Sequence, residues 1–566
     1  MTSDLEAISR GTGEVSMNKE LFGVFGGPEE FRRFRRPDGF DVVVEGESAT
    51  AGLRTPDIGT PGRSSVYDGE EGACVVFGEV FTPAEAGAGA AEWTLDRYAE
   101  EGLNALGALN GSYVCVLEAD GEAVVATDPI RSWEIYYADV DGARVFGTDV
   151  SALKPLCEDR AVDRTSLLEL LHLGTVLGED TLFESISRVP FDGYLTAGDA
   201  GSLDRFVYAP READHVDALS SRLRRAIRRR SRYPGTKGLL LSAGKDSRVF
   251  LSQLPDVAAA YTIGSPDARE VRVARKVAAQ YDTPHTTLEP SSRYILPTDR
   301  KVLYSQGIKE ALHIHHAGYR DEVGEDVMYH GLLFDTLLKG YFLERDGVSV
   351  FGSKLESNAL VSDPDPVESL LDTLGYLPDG SRRVASAAGS LFGDVDLTLD
   401  SPRAFLRERL ASELETCWER ADSPHNATDL LVVKNQPVMP FRTHLADNYL
   451  DAFVAVDAEL LDWHLRTPPE HRSNDTYNRA LRRVDDRLLA HRPPSQPHRC
   501  SRLNQIERFL RRKLPFVEAF EPAWPDRRAI YDGCRLDERL FPDSPSVHDL
   551  PPRQKLRLVD ARWWLS

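Results

Sequence analysis

Lysine is scarce in this chain of 566 residues: only 12 of the 68 basic residues are Lys, and they face 90 Asp and Glu, for a formal net charge of −22. Phosphate backbones need a positive face, so neither nucleic acid nor an anionic membrane is expected as a partner. Cysteine is sparser still, with six residues. Cys74, Cys115, Cys157, Cys417, Cys500 and Cys534 form no C-x-x-C pair, which argues against a zinc ribbon and a disulfide framework and leaves reduced, structural thiols as the expectation. No uninterrupted apolar run approaches ~18 residues, and MTSDLEAISRGTGEVSMNKE has no charged-then-apolar signal pattern. Membrane spanning and Sec-type export are therefore disfavoured, and a cytoplasmic location is expected.

What the chain does have is length and acid. At ~100–200 residues per domain it holds two to four domains, and 41% hydrophobic residues are enough to build their cores. Carboxylates are spread through every region. Such an acid-rich, Lys-poor composition resembles that of proteins from salt-loving archaea, where high salt screens the self-repulsion of a highly charged surface.

A polar leader, residues 1–16, precedes Met17. Alternating runs then predict strands at Glu20–Phe25, Phe40–Val44, Ala73–Phe81, Ser112–Glu118, Glu122–Thr127, Ile135–Asp139 and Ala143–Thr148. Asp-Gly pairs at 120–121 and 141–142 sit between runs as hairpin turns, and the small-residue stretch Ala84–Ala91 reads as an exposed loop. This predicts an antiparallel first domain, 17–208. The pattern changes near residue 210. Leu219, Leu223 and Ile227 fall at helical spacing on an Arg-dense helix, whose basic run at 222–232 reads as a solvated or interdomain face. Beyond it, a buried strand at Gly238–Leu241, a helix from Ser247, a strand at Ala258–Ile263 and a helix at Asp267–Tyr281 alternate. That order predicts an α/β domain, 212–566, with a parallel sheet covered by helices on both faces.

The chemistry is concentrated in Gly238-Leu-Leu-Leu-Ser242-Ala243-Gly244-Lys245-Asp246-Ser247-Arg248: an apolar strand, a loop of small residues, then a helix. Small residues let backbone N–H groups close around phosphate oxygens, and the Ser242 and Ser247 hydroxyls add donors. The loop is neither G-x-x-x-x-G-K-[ST] nor G-x-G-x-x-G, so β/γ-phosphate transfer is not the implied reaction.

Instead this loop resembles the S-G-G-x-D-S pyrophosphate loop of adenine-nucleotide α-hydrolase-like ATP pyrophosphatases, with Ala243 for the first Gly. Thr262-Ile263-Gly264 with Asp267 and Glu270, then Ala274–Ala279 and His285, resembles the second nucleotide-contacting unit of the asparagine synthetase family. Gly331-Leu-Leu-Phe-Asp335-Thr-Leu-Leu-Lys-Gly340-Tyr341 aligns without gaps on that family's G-E-G-A-D-E-L-F-G-G-Y. Asn110-Gly111-Ser-Tyr, Asp128 to Tyr137, Phe146 to Leu153 and Thr181 to Ile186 match motifs of its glutaminase-like domain in order. The resemblance runs through residues 20–490. It implies an N-terminal Ntn-hydrolase-like antiparallel αββα domain and a C-terminal ATP-pyrophosphatase parallel-sheet domain. It also implies an ATP-dependent ligase that adenylates a carboxylate, releases pyrophosphate, and passes the acyl group to ammonia or an amine. Asp246 and Asp335 correspond to carboxylates that hold Mg²⁺ on the departing pyrophosphate. Lys245, with Arg248, adds a cationic group that neutralises β- and γ-phosphates. Ser242, Ala243, Gly244 and Ser247 cradle the phosphates, and Leu241, Ile263, His330 and Gly331 correspond to contacts with the adenosine side.

The sequence departs from the family pattern in both domains. Phe22-Gly-Val-Phe-Gly26 stands where the family has an N-terminal C-G-I-x-G, and Phe77 takes the place of its oxyanion Asn, so glutamine hydrolysis is not expected. Leu332 replaces the family's Glu and Asn478 its Lys, which puts the amide-forming step in doubt; Arg442, Arg479 and Arg482 are candidate replacement cations. His313, His315 and His316 have an i, i+2 spacing that can bind metal, without a fourth ligand pattern. Three readings stay open: the ligase, a sulfur-transfer ATP pyrophosphatase, and a nucleotide-binding scaffold without catalysis. The sequence is compatible with a homodimer and fixes no oligomeric state.

Overall fold

The structure is a computed structural model that describes residues 16–83, 89–350, 353–392, 395–436, 438–498, 501–513 and 520–566. Residues 1–15 of the leader, 84–88 of the small-residue stretch and Cys500 lie outside the described residues.

Within the first 202 residues the described strands form two six-stranded antiparallel sheets. Strand β1 (Glu20–Val24) sits inside the first, paired on both sides. Strands β2 (Gly72–Phe81) and β3 (Asn110–Ala119) pair in the second. Alternation along these two strands builds two cores at once, because successive side chains point to opposite faces. Val75, Phe77, Val114 and Val116 join Phe22 and Val24 between the sheets. Cys74, Val76, Cys115 and Leu117 pack on the other face against Ala91 and Leu95 of helix α1 (Ala90–Glu101). Short helices, Pro28–Phe34 and Val150–Leu153, flank the first sheet. The Asp-Gly turns have the backbone their sequence predicts, with φ of 53° and 78° at Asp120 and Gly121 and of 50° and 82° at Asp141 and Gly142. The strand Thr50–Arg54 was hidden in the sequence: in T-A-G-L-R only Thr50 is β-branched and none is aromatic, and Gly52 is small because the Phe40 ring would lie 2.7 Å from any Cβ there.

The Arg-dense helix α2 (His215–Arg230) buries Leu219, Leu223 and Ile227. Most of its Arg run pairs with residues 457–484, and the last two arginines reach across to the antiparallel half. Arg230, 0% exposed, pairs with Glu79 of β2 and with Asp457, 2.7 Å away, while Tyr233 donates to Glu79 at 2.8 Å. Arg63 and Lys19 share Asp57 at 3.1 and 3.0 Å, and the backbone N–H of Lys19 donates to Asp447 at 2.8 Å.

Five parallel strands follow: β4 (Lys237–Leu240), β5 (Val257–Ile263), β6 (His285–Leu288), β7 (Val327–Tyr329) and β8 (Leu450–Ala452). Their order in the sheet is β6-β5-β4-β7-β8. The chain winds outward from β4 through β5 and β6, then crosses to the opposite side for β7 and β8. Strands β4 and β7 are thus neighbours at which the winding reverses, the place where open α/β sheets leave a crevice beyond their carboxyl ends.

Candidate functional site

Two neighbouring strand ends meet at that crevice. The loop 241–247 leaves β4 and enters helix α3 (Arg248–Gln253); His330 and Gly331 leave β7 and lead into helix α4 (Phe334–Lys339). Gly331 is required by proximity. A Cβ there would sit 2.7 Å from the Asp246 Cβ and 3.1 Å from the Ser247 nitrogen. Leu333 turns the chain with a left-handed φ of 64°, a conformation that costs about 1–2 kcal/mol in a residue with a Cβ. Its side chain is buried in the hydrophobic cluster that surrounds the parallel sheet.

The turn delivers Asp335 beside Asp246, and one ammonium joins them. Lys339 donates to both Asp246 oxygens at 2.8 and 2.9 Å and pairs with Asp335 one helical turn before it. Since each carboxylate lies within hydrogen-bond reach of one nitrogen, the two are within about 6 Å of each other. Burial pushes Asp246 up to about 6, with Lys339 pulling down and Asp335 pushing up. Burial lowers Lys339, but Asp246 and Asp335 outweigh it and raise the ammonium above its ordinary range. Lys245 is pulled down to about 8 by burial and by the nearby Lys339 and Arg248, and it donates to Gln496 at 2.9 Å. Arg482, exposed on helix α5 (Asn474–Val484), adds its charge near Lys245. An otherwise acidic chain thus carries a local concentration of cations here.

The loop itself departs from an open phosphate cradle. The Ser242 N–H donates to Ser247 Oγ at 3.2 Å, the Ala243 N–H to Glu270 at 2.6 Å, and the Gly244 N–H to Ser242 Oγ at 3.1 Å. Those three amides are already engaged within the protein, and both hydroxyl oxygens accept from them. Arg248 is likewise structural. Its guanidinium is 0% exposed and donates to the carbonyls of Ala243, Gly244, Leu488 and His491, so it fastens the loop and does not face phosphate.

Beside the loop a cavity of about 280 Å³ opens at the end of β5, lined by Ile263, Gly264, Glu270, Pro290, Glu521 and Trp524 among others. Its size is close to the ~300 Å³ lower end of small-molecule pockets. Ile263 is on the side expected for a nucleoside. Leu241 and His330 are not on its wall. Leu241 is 3% exposed and extends the ladder by donating to Tyr261, and His330 is bound to buried Asp451 at 2.8 Å.

The other candidates resolve by burial and partner. Arg442 is buried against Asp451 at 3.3 Å and lies 4.1 Å from the Trp133 ring, so it joins the domains. Arg479 is exposed with Asp475 as its partner. His315 and His316 pack on Phe441, and burial holds both imidazoles neutral, well below their usual range. Among the described residues no three His, Cys, Asp or Glu side chains converge as a metal site. Cys417 is 0% exposed and its thiol is pushed up to about 11 by burial, the opposite of what a sulfur carrier needs.

In the first domain, Phe22 is 0% exposed in the middle of β1, its ring 5.8 Å from Phe31 and 5.0 Å from the Arg35 guanidinium. Phe77 packs on Trp133 at 4.9 Å. Neither position offers a nucleophile or a hydrogen-bond donor from its side chain.

A divalent ion does not fit the carboxylate pair as it stands. The space between Asp246 and Asp335 is taken by the Lys339 ammonium, which neutralises one of their two charges. Sequence reasoning left Lys339 without a role. The signal was present in the i, i+4 spacing of Asp335 and Lys339. Gln496 and Tyr477, whose ring lies 5.4 Å from the Lys339 nitrogen, come from more than 130 residues away and had no local signal.

No protein-family model matches the chain, and no curated protein matches it in sequence. Two solved structures that it resembles weakly are a glutamine phosphoribosylpyrophosphate amidotransferase from B. subtilis complexed with ADP and GMP, and an allosteric regulatory enzyme of purine biosynthesis. The first is 13% identical over 66% of this chain and 85% of its own, with a TM-score of 0.19. The second is 12% identical over 60% of this chain and 71% of its own, with a TM-score of 0.18. At such TM-scores neither likeness bears on the fold or the chemistry of this protein.

Proposed function

We propose that the second domain binds a nucleoside triphosphate at the β4/β7 crevice and uses it to activate a carboxylate for amide formation, with free ammonia or an amine as the nitrogen source. One observation carries this reading: Asp246, Asp335, Lys245 and Lys339 converge where the winding of a parallel sheet reverses, next to a cavity of nucleoside size. A substrate carboxylate oxygen would attack the α-phosphorus, the α–β P–O bond would break, and pyrophosphate would leave with the bonding electrons. Lys245 and Lys339, both partly or largely buried, neutralise the charge that grows on the leaving group. Asp246 and Asp335 hold the Lys339 ammonium in place. The amine would then attack the acyl carbon, lose a proton, and displace the nucleoside monophosphate.

Glutamine plays no part in this reading, because Phe22 and Phe77 pack as core side chains. Pyrophosphate release with a panel of carboxylates and amines, in molar KCl to screen the acidic surface, tests the proposal. Release that requires both a carboxylate and the nucleotide supports it. A second reading, a nucleotide-binding scaffold without chemistry, is favoured by the engaged loop amides and by the apolar Leu332. Nucleotide binding without pyrophosphate release from any pair in the panel would select it.

A further inference from the structure

We propose that Lys339 is the resident cation of this site, standing where a divalent ion would otherwise bridge Asp246 and Asp335, so that the carboxylate pair holds no divalent metal and meets phosphate through an ammonium built into the chain. Three observations lead there. The ammonium bonds both oxygens of Asp246 and also Asp335, the contacts a bridging ion would make. The side chain is confined, 10% exposed, with its nitrogen over the Tyr477 ring. Its tether is short, since Asp335 and Lys339 lie on successive turns of one helix that Gly340 ends with a left-handed φ of 57°. A Cβ at Gly340 would lie 2.6 Å from the Arg472 carbonyl, which fixes that end of the helix against its neighbour.

A resident ammonium differs from a bound ion in two ways. It cannot dissociate or be chelated, and it carries a single charge, so the pair Asp246 and Asp335 keeps a net negative charge, with Lys245 close enough to Asp246 to feel it. A divalent ion entering the same space would face Lys339 at close range, a like-charge contact that binding of two carboxylates must overcome. Metal independence therefore follows from sequence position 339 and not from the absence of acidic ligands.

This inference deepens the nucleotide reading and rests on it only for the identity of the phosphate ligand, so its test has two arms. In the first, Mn²⁺ alone is titrated into the protein in molar KCl and followed by electron paramagnetic resonance. The wild type is expected to bind no Mn²⁺ in a manner sensitive to Asp335→Asn, whereas Lys339→Met should gain a site at least tenfold tighter that Asp335→Asn removes. Lys339→Gln, which keeps the stem and a polar head, replaces the Met variant if that one does not fold. Wild-type Mn²⁺ binding that Asp335→Asn abolishes would overturn the proposal, as would folded Lys339 variants that gain no site. In the second arm, ATP binding to the wild type is measured by calorimetry with EDTA and with Mg²⁺. Affinities within about threefold support a built-in cation; binding only with Mg²⁺ contradicts it. ATP that binds under neither condition counts against the nucleotide reading, and the Mn²⁺ arm then decides the role of Lys339 alone.

Discussion

The two halves of this chain depart from the pattern they resemble in opposite physical ways. In the antiparallel half, the positions where a nucleophile and an oxyanion donor are expected hold Phe22 and Phe77, which turn a polar pocket into core. In the parallel half, the charged positions Asp246 and Asp335 are kept, and the change around them is an added opposite charge, Lys339. Apolar filling removes both the groups and the space they acted in. Charge compensation leaves groups, polarity and crevice in place. The comparison teaches that the first half serves as a structural partner, while the second retains the means to attract an anion.

The halves are not independent, and the sharpest way to break the comparison is to cut their connection. Arg230→Ala leaves Glu79 and Asp457 buried with one fewer cation, and removal of one partner from such a buried network costs about 3–5 kcal/mol. Urea denaturation should show that loss in both halves together. Next in size, Asp246→Asn should reduce nucleotide-dependent pyrophosphate release by about 10²-fold with the fold retained, because Lys339 loses the partner that positions it. In the first half, purified protein should release no glutamate from glutamine above a no-enzyme control. Phe22→Cys should not restore it, because residue 22 lies in the middle of a central strand and carries no free amine.

A smaller effect is a pH dependence. The folded carboxyl of Asp246 titrates near 6, above its ordinary value of 3.8, so between pH 4 and 6 the folded state binds a proton that the unfolded state does not. Stability from this group is therefore lost as pH rises through that window. The stability of Asp246→Asn relative to wild type should climb by up to about 2 kcal/mol from pH 4 to 6 and level off above 7, measured by denaturant midpoints across pH. A flat difference curve would show that Asp246 is no more buried or crowded than a surface carboxylate.

Much of the fold was legible because period and turn chemistry agree. The strands flanking the two Asp-Gly turns and the β4-loop-α3 unit lie close to their predicted bounds. Short strands such as Gly193–Leu195 were missed because they are held by neighbours and not by pattern. In the site, the gapless motif around Asp335 singled out a carboxylate that the structure brings beside Asp246, yet it said nothing of what the loop amides do. Glu270 reaches Ala243 across 27 residues and Gln496 reaches Lys245 across 251. Such partners are set by tertiary packing and leave no trace in local spacing.

The measurement that bears most directly on this contrast is amide hydrogen exchange with and without a non-hydrolysable ATP analogue in molar KCl. The predicted result is protection concentrated in residues 241–248 and 331–340, with the strands around Phe22 and Phe77 unchanged. Protection of the antiparallel half with none at the β4/β7 crevice would contradict it.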